Sequence, residues 1–175
     1  MGDFPFVNAG GKRVMSLLAP NGTQTILAIP FPSSLSSIPL SIHRGGAAGP
    51  HMAEATFHSW STEKVDVTIG PLRYRFRKRL DSQTGLGKLT WGNRKGEFFL
   101  REGTSEDSGV LVAQFVPRTT STFGTSKVEG TFQIRKPGLS AAQFEEVVIT
   151  GIFEMERRRR KAEGYAFNLA TFTAL

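Results

Sequence analysis

The sequence predicts a mainly β protein, an antiparallel closed β-barrel that surrounds one buried helix near the C-terminus. Two observations lead to this fold class. Short segments rich in β-branched and aromatic residues follow one another between turn residues, which is typical of an antiparallel meander closing into a sandwich or barrel. One later segment has a helical pattern whose apolar residues cover nearly its whole circumference, so it must be enclosed by protein.

Nine segments are candidate strands, because each alternates in hydrophobicity with a period of two or is rich in β-branched and aromatic residues. They lie at 13–19, 23–29, 53–59, 64–69, 73–80, 88–91, 97–101, 110–116 and 128–135. Turn signals separate them, among them Pro20-Asn21-Gly22 and Gly70-Pro71. Strands therefore account for most of the chain.

Residues 30–52 break this pattern, because proline, serine and glycine dominate the segment. We expect a long loop or linker there, partly disordered. It does not mark a domain boundary, since the chain of 175 residues has the size of one domain. The sequence thus predicts a single barrel domain over residues 1–175.

A helix is predicted over residues 141–163. Ser140 and Gln143 have the spacing of a capping box, in which each side chain accepts a hydrogen bond from the other residue's backbone N–H. Gly164 is a natural end for the helix. Such a helix would be roughly 34 Å long.

The middle of this helix, from Val147 to Met155, is apolar on almost every side. About nine apolar residues are too few to cross a bilayer, which needs about 20. Strands that surround the helix are the simplest way to bury it. We expect residues 165–173 to return as a closing strand of the barrel.

Composition excludes several kinds of active site. The chain has no cysteine, which excludes disulfide frameworks, thiolate zinc sites, iron–sulfur clusters and cysteine nucleophiles. No constellation of nucleophile, base or metal ligands stands out, so we predict that the protein is not an enzyme and uses no cofactor. The sequence shows neither a secretory signal nor an apolar membrane-spanning run, and we expect an intracellular, cytoplasmic location.

Most of the net charge of +7 lies in one stretch, because residues 63–101 carry ten bases and four acids. Within it, Arg73, Arg75, Arg77 and Arg79 would share one face of a strand. Cations so close together repel, so the face should be solvated or meet an anion. Acidic phospholipid or phosphoinositide headgroups suit it best, and nucleic-acid phosphates are a less favoured ligand. The alternative is a solvated face that protects an edge strand from aggregation.

A second basic run, residues 157–161, lies at the end of the predicted helix. As a polybasic patch it would add Arg158 and Arg160 to the candidate anion-binding residues. A structural role carries more weight, because the run complements the helix dipole and can pair in part with Glu154, Glu156 and Glu163.

Residues 53–163 resemble a fungal family of unknown function that is abundant in mushroom-forming species. The matching features are Ala53-Glu54-Ala55-Thr56-Phe57-His58, the arginine strand 73–77, Leu89-Thr90-Trp91, Val112-Ala113-Gln114-Phe115, and the apolar helix core 145–153 running into the charged segment 154–161. That family is similar to the tubby-like superfamily, which includes phospholipid scramblases and LURP-one proteins. The resemblance implies a barrel of about 10–12 strands around a helix near the C-terminus.

These observations predict a non-catalytic binding module for anionic ligands, associated peripherally with membranes. The rival interpretation is a structural or protein-interaction domain whose basic charge is incidental. The oligomeric state and the role of residues 1–52 stay open at this point.

Overall fold

A computed structural model describes residues 1–8, 14–30, 39–58, 64–94, 96–117 and 130–172, with side chains for all of these except Asn8 and residues 162–172. This part of the chain forms twelve strands followed by one helix. The elements are β1 (Gly2–Asn8), β2 (Val14–Leu18), β3 (Thr25–Pro30), β4 (Leu40–Arg44), β5 (His51–Phe57), β6 (Val65–Ile69), β7 (Leu72–Phe76), β8 (Arg79–Asp81), β9 (Lys88–Arg94), β10 (Glu97–Glu102), β11 (Leu111–Pro117), β12 (Gly130–Ile134) and α1 (Ala141–Phe172).

The twelve strands form one antiparallel sheet in the order β7-β6-β5-β4-β3-β2-β1-β12-β11-β10-β9-β8. Every strand pair joins sequence neighbours except the pair of β1 with β12, in which Gly2 lies opposite Ile134 and Phe6 opposite Gly130. The two edges of the sheet are β7 and β8, which follow each other in the chain. The sheet therefore curls into a nearly closed barrel whose seam lies at the β7–β8 turn, and the predicted fold class is confirmed.

Alternation along the strands separates the barrel interior from its outer surface. In β6 the side chains of Val65, Val67 and Ile69 are buried, while those between them are only half-buried. Large aromatic side chains fill the interior, as shown by the rings of Phe115 and Phe132, whose centroids lie 6.3 Å apart. The inward faces of all the strands thus form one apolar core.

The helix runs through this core. Every side chain from residue 146 to residue 157 is buried. On one side the ring of Phe153 meets that of Phe57 in β5 at 6.5 Å, and on another side Gly151 faces Phe132 in β12 and Trp91 in β9. The predicted burial of Ile149, Ile152 and Phe153 is confirmed, since none is more than 1% exposed.

The predicted closing strand at 165–173 is wrong, because α1 continues to Phe172. An isolated glycine costs a helix about 1 kcal/mol relative to alanine but does not end it, so the helix passes through Gly164 and beyond the expected end at 163. The barrel needs no strand from this region. Its wall is completed instead by β1, which the sequence did not identify as a strand.

The expected loop at 30–52 contains a strand, β4, at residues 40–44, and β5 begins at His51. Leu40 and Ile42 are fully buried, whereas Ser41 and His43 are less so. This short alternation was hidden between proline-rich and glycine-rich neighbours. In β1, Pro5 is compatible with the sheet because pairing with β2 begins only at Phe6.

The predicted capping box starts the helix. The backbone N–H of Gln143 donates to Oγ of Ser140 at 3.3 Å, and the backbone N–H of Ser140 donates to Oε1 of Gln143 at 3.0 Å. Two backbone donors that the first helical turn cannot satisfy thereby gain partners.

Replacing Ser140 with alanine should lower the free energy of unfolding by about 1 kcal/mol, because one N-terminal backbone donor loses its acceptor. Urea denaturation would measure the change. Ser108→Ala, at an exposed loop serine, controls for the loss of a hydroxyl group. An unchanged midpoint for S140A would show that the cap does not stabilise the helix.

Replacing Gly151 with alanine should destabilise the protein, although alanine is the better helix former. An added Cβ would lie 2.6 Å from Phe132 Cζ and 2.8 Å from Trp91 Cη2. Overpacking of a core typically costs about 1–3 kcal/mol, which exceeds the gain of about 1 kcal/mol in helix propensity. Thermal unfolding would measure the net effect, and a stabilised variant would contradict enclosure of the helix at this point.

Candidate functional site

The four arginines of the predicted basic strand lie along the seam of the barrel. In β7, Arg73 and Arg75 are exposed and alternate with Tyr74 and Phe76, which are buried. The alternation of a half-buried strand therefore directs the guanidinium groups outward. Together with Arg77 and Arg79, also exposed, we call these residues the arginine seam.

The sequence predicted one continuous strand over residues 73–80. The structure instead divides the seam between β7 and β8. The chain turns at Arg77 and Lys78, and Arg79 belongs to β8, where it lies opposite Thr90 of β9. The reason is closure, because β7 must pair with β6 and β8 with β9 at opposite edges of the sheet. The arginines therefore flank the gap between two edge strands.

One arginine of the seam is paired with a carboxylate. Asp66 of β6 accepts a hydrogen bond from Arg75 Nε at 2.5 Å and another from Arg75 Nη2 at 3.0 Å. It also lies 2.5 Å from Nε2 of His58. The bonds from Arg75 chiefly, with a smaller contribution from His58, lower the pKa of Asp66 to about 2.

Arg73 and Arg79 differ from Arg75, since within the described residues neither forms a salt bridge. Lys78, in the turn, is bound to Glu106. Two exposed guanidinium groups on the outer wall thus have no anionic side chain to neutralise them in the described part of the chain.

The seam is fixed to the helix by a buried carboxylate that the sequence did not single out. Glu146, 1% exposed, accepts hydrogen bonds from the Tyr74 hydroxyl at 2.7 Å, the Ser82 hydroxyl at 2.6 Å and the Gln83 backbone N–H at 2.9 Å. Burial and the neighbouring Glu146 raise the pKa of Tyr74. These bonds attach β7 and the β8–β9 loop to α1, so the backbone that carries Arg73 is held firmly.

Arg158 and Arg160, the other predicted anion-binding residues, lie near the end of the barrel where the helix leaves it. Arg158 Nε donates to Glu154 at 2.6 Å, and Arg160 Nε donates to Glu156 at 2.7 Å. Arg160 also lies over the ring of Phe57, 4.2 Å from its centroid. Their side chains are only 28% and 8% exposed, so they do not share the open surface of the seam.

Both buried carboxylates of this region are held by two arginines each. Glu154 also binds Arg157 through Nε at 2.7 Å and Nη2 at 2.8 Å, and Glu156 binds Arg159 in the same way. Because these partners lie three and four residues further along the helix, the pairing expected from the sequence forms within α1 itself.

A cavity of about 250 Å³ lies beside these pairs, between α1 and the strands β1 and β10. Phe6, Phe98, Ile152 and Met155 line it, together with side chains of the charged helix end. No sequence pattern predicts it, because its walls come from three segments that are far apart in the chain. Nothing local in the sequence marks such a space.

Comparison with protein-family models, with curated proteins and with solved structures finds no match to this chain. In the described residues, no helix is long and apolar enough to cross a membrane. The same part of the chain has no group of three or more histidine, aspartate or glutamate side chains arranged to hold a metal ion.

The Asp66–Arg75 pair should contribute to stability in a pH-dependent way. Because the pKa of Asp66 falls from 3.8 to about 2 on folding, its contribution is present above pH 3.8 and is lost as the pH falls through 2. Asp66→Asn should therefore lower the free energy of unfolding at pH 5–7, by about 1 kcal/mol or less for an exposed pair.

Urea denaturation of both proteins between pH 7 and pH 2 would test this. The difference between wild type and D66N should shrink steeply as the pH falls from 3.8 towards 2. Glu54→Gln, at an exposed carboxylate of β5, is the matched control. A difference that stays constant across this range would contradict the assignment.

Proposed function

We propose that this chain is a non-catalytic binding module for anionic phospholipid headgroups, phosphoinositides among them, at the cytoplasmic surface of a membrane. The observation that carries the proposal is the exposure of Arg73 and Arg79 on the outer wall without a carboxylate partner among the described residues. A phosphate bound by these arginines would supply the counter-charge that the described side chains do not.

The chemistry of the seam suits phosphate. A guanidinium group presents its donors in a planar fork that matches two phosphate oxygens at once. The backbone beneath Arg73 is held by the bond from Tyr74 to Glu146 and by Gln83 Nε2, which donates to the carbonyl of Arg73. Because this backbone is already held in place, ligand binding should cost little main-chain conformational entropy.

The resemblance to the tubby-like superfamily, which includes phospholipid scramblases, supports the same proposal. It covers residues 53–163, and the arginine strand is one of its matching features. We propose this family relationship together with the lipid-binding function.

Nucleic acid is a weaker candidate because the aromatic residues of the seam point inward. Tyr74 and Phe76 are both buried, so β7 presents no exposed ring on which an unpaired base could stack. Phosphate contact alone would have to carry such an interaction.

A structural role is the second candidate, and the topology favours it specifically. β7 and β8 are the two edges of the sheet, and charged side chains on edge strands oppose pairing with another chain. In this case the seam would keep the barrel monomeric and bind no ligand. The following experiment separates the two functions.

Replacing both Arg73 and Arg79 with glutamine should weaken binding to anionic vesicles about 30-fold, since each basic residue near an acidic leaflet is worth about 1 kcal/mol. Sedimentation with vesicles of phosphatidylcholine, with and without phosphatidylserine and a phosphoinositide, would measure the affinity. Binding should also fall with added salt, because the Debye length shrinks from about 10 Å at 0.1 M to about 3 Å at 1 M.

Arg94→Gln with Arg135→Gln is the matched control, because it removes the same charge from two exposed arginines that lie outside the seam and form no salt bridge within the described residues. Arg75→Gln should weaken binding less than Arg73→Gln, since Asp66 already neutralises Arg75. If R158Q with R160Q weakens binding as much as the seam variant, the site extends to the helix end.

Equal losses for the seam variant and the control would mean that net charge alone matters. If wild type binds neither anionic vesicles nor a single-stranded oligonucleotide at low salt, the binding function fails. Binding to the oligonucleotide alone would favour nucleic acid. Self-association of the seam variant without any loss of ligand binding would support edge protection.

A further inference from the structure

The cavity beside the end of α1 has an apolar interior, and three charged side chains of the helix end, Glu156, Arg158 and Arg159, are among the residues that line it. Its walls are formed by the aromatic rings of Phe6 and Phe98 and by the side chains of Ile152 and Met155. The same cavity is bordered by Arg158 and Arg159. An amphiphilic ligand would complement both the apolar and the charged side chains of this lining.

The net positive charge of the helix end beside the cavity favours an anionic ligand. From Glu154 to Glu163 the chain carries five cationic side chains, Arg157–Lys161, and three carboxylates, which leaves a surplus of two positive charges. Glu156 also lines the cavity, but its carboxylate is already bound by Arg159 and Arg160. A cationic ligand would therefore meet repulsion that an anionic one does not.

Arg158 is the residue best placed to hold the anionic group. Its Nε donates to Glu154 at 2.6 Å, and a guanidinium has four further N–H donors on its two terminal nitrogens. The guanidinium lies over the ring of Phe98, 5.5 Å from the centroid, so the charge is positioned directly against the apolar wall of the cavity.

The volume of the cavity sets the size of the apolar part of the ligand. An apolar cavity of about 150 Å³ accommodates benzene, with six carbon atoms. At the same packing, about 250 Å³ has room for about ten carbon atoms. This is the size of a medium-length alkyl chain and is smaller than a complete diacyl phospholipid.

We propose that this cavity binds the alkyl chain of a single-chain anionic amphiphile, with its carboxylate or phosphate on Arg158. The site is separate from the arginine seam and does not depend on the proposed function. The shared chemistry is an anionic head on an aliphatic chain of about ten carbons, which a free fatty acid or an alkyl phosphate monoester would supply.

Titration calorimetry of the whole chain with hexanoate, octanoate, decanoate and dodecanoate, all below their micelle-forming concentrations, would test the proposal. Affinity should rise about fourfold per added methylene while the cavity fills, and then level off near ten carbons. Decyl phosphate distinguishes the phosphate head from the carboxylate. Decanol and decyltrimethylammonium should bind much more weakly than decanoate.

Two variants locate the site. Met155→Trp should fill the cavity and reduce decanoate affinity at least tenfold, with a melting temperature near that of wild type as the check on folding. Arg158→Gln should reduce it about tenfold or more, because a hydrogen bond to a charged group is lost. Glu154 keeps Arg157 as a partner in this variant.

The seam variant, Arg73→Gln with Arg79→Gln, is the control and should bind decanoate like wild type. Equal weakening by this variant would overturn the proposal, because binding would then follow net charge. Equal affinities of wild type for all four alkanoates would also overturn the proposal. This outcome does not depend on whether M155W folds. Tight binding of 1-naphthoate without any dependence of alkanoate affinity on length would also overturn it, in favour of an aromatic ligand.

Discussion

The structure depends on one constraint, which is that α1 is buried on every side between residues 146 and 157 and must be surrounded. A single sheet can cover every side of a helix only by closing around it. Closure in turn requires the last strand to meet the first, β12 beside β1, and brings β7 and β8 together as the remaining edges. Gly151 marks the tightest contact, because Phe132 and Trp91 occupy the space of its missing side chain.

Enclosing the helix also buries carboxylates, which need hydrogen-bond donors. The donors come from different places at the two ends of the enclosed segment. Near the start, Glu146 is satisfied by neutral donors, Tyr74 and Ser82 among them, which belong to other elements. Near the exit, Glu154 and Glu156 are satisfied by arginines of α1 itself. Because buried carboxylates are costly unless fully hydrogen-bonded, the first arrangement fixes the barrel wall to the helix, whereas the second forms from local sequence alone.

This difference explains how much the sequence could predict. The capping box of Ser140 and Gln143 and the arginine pairs at the helix end involve residues three or four apart, so their spacing was visible. Strand β4 was not predicted because proline-rich and glycine-rich neighbours obscure its short alternation. The role of Glu146 and the cavity at Phe98 depend on residues from distant strands, and no local pattern encodes such contacts. The basic face was foreseen, but its division between two edge strands follows from closure of the sheet.

The pairing of β1 with β12 also has a consequence for biosynthesis. Gly2 lies opposite Ile134, so β1 cannot pair with β12 until all of the residues between them have been synthesised. Until then the inward faces of the early strands have neither the helix nor a closed wall to cover them. Contacts so far apart in sequence slow folding, and exposed strand edges favour aggregation during the delay. We therefore expect this barrel to close only after β12 has been made, and to fold as one unit.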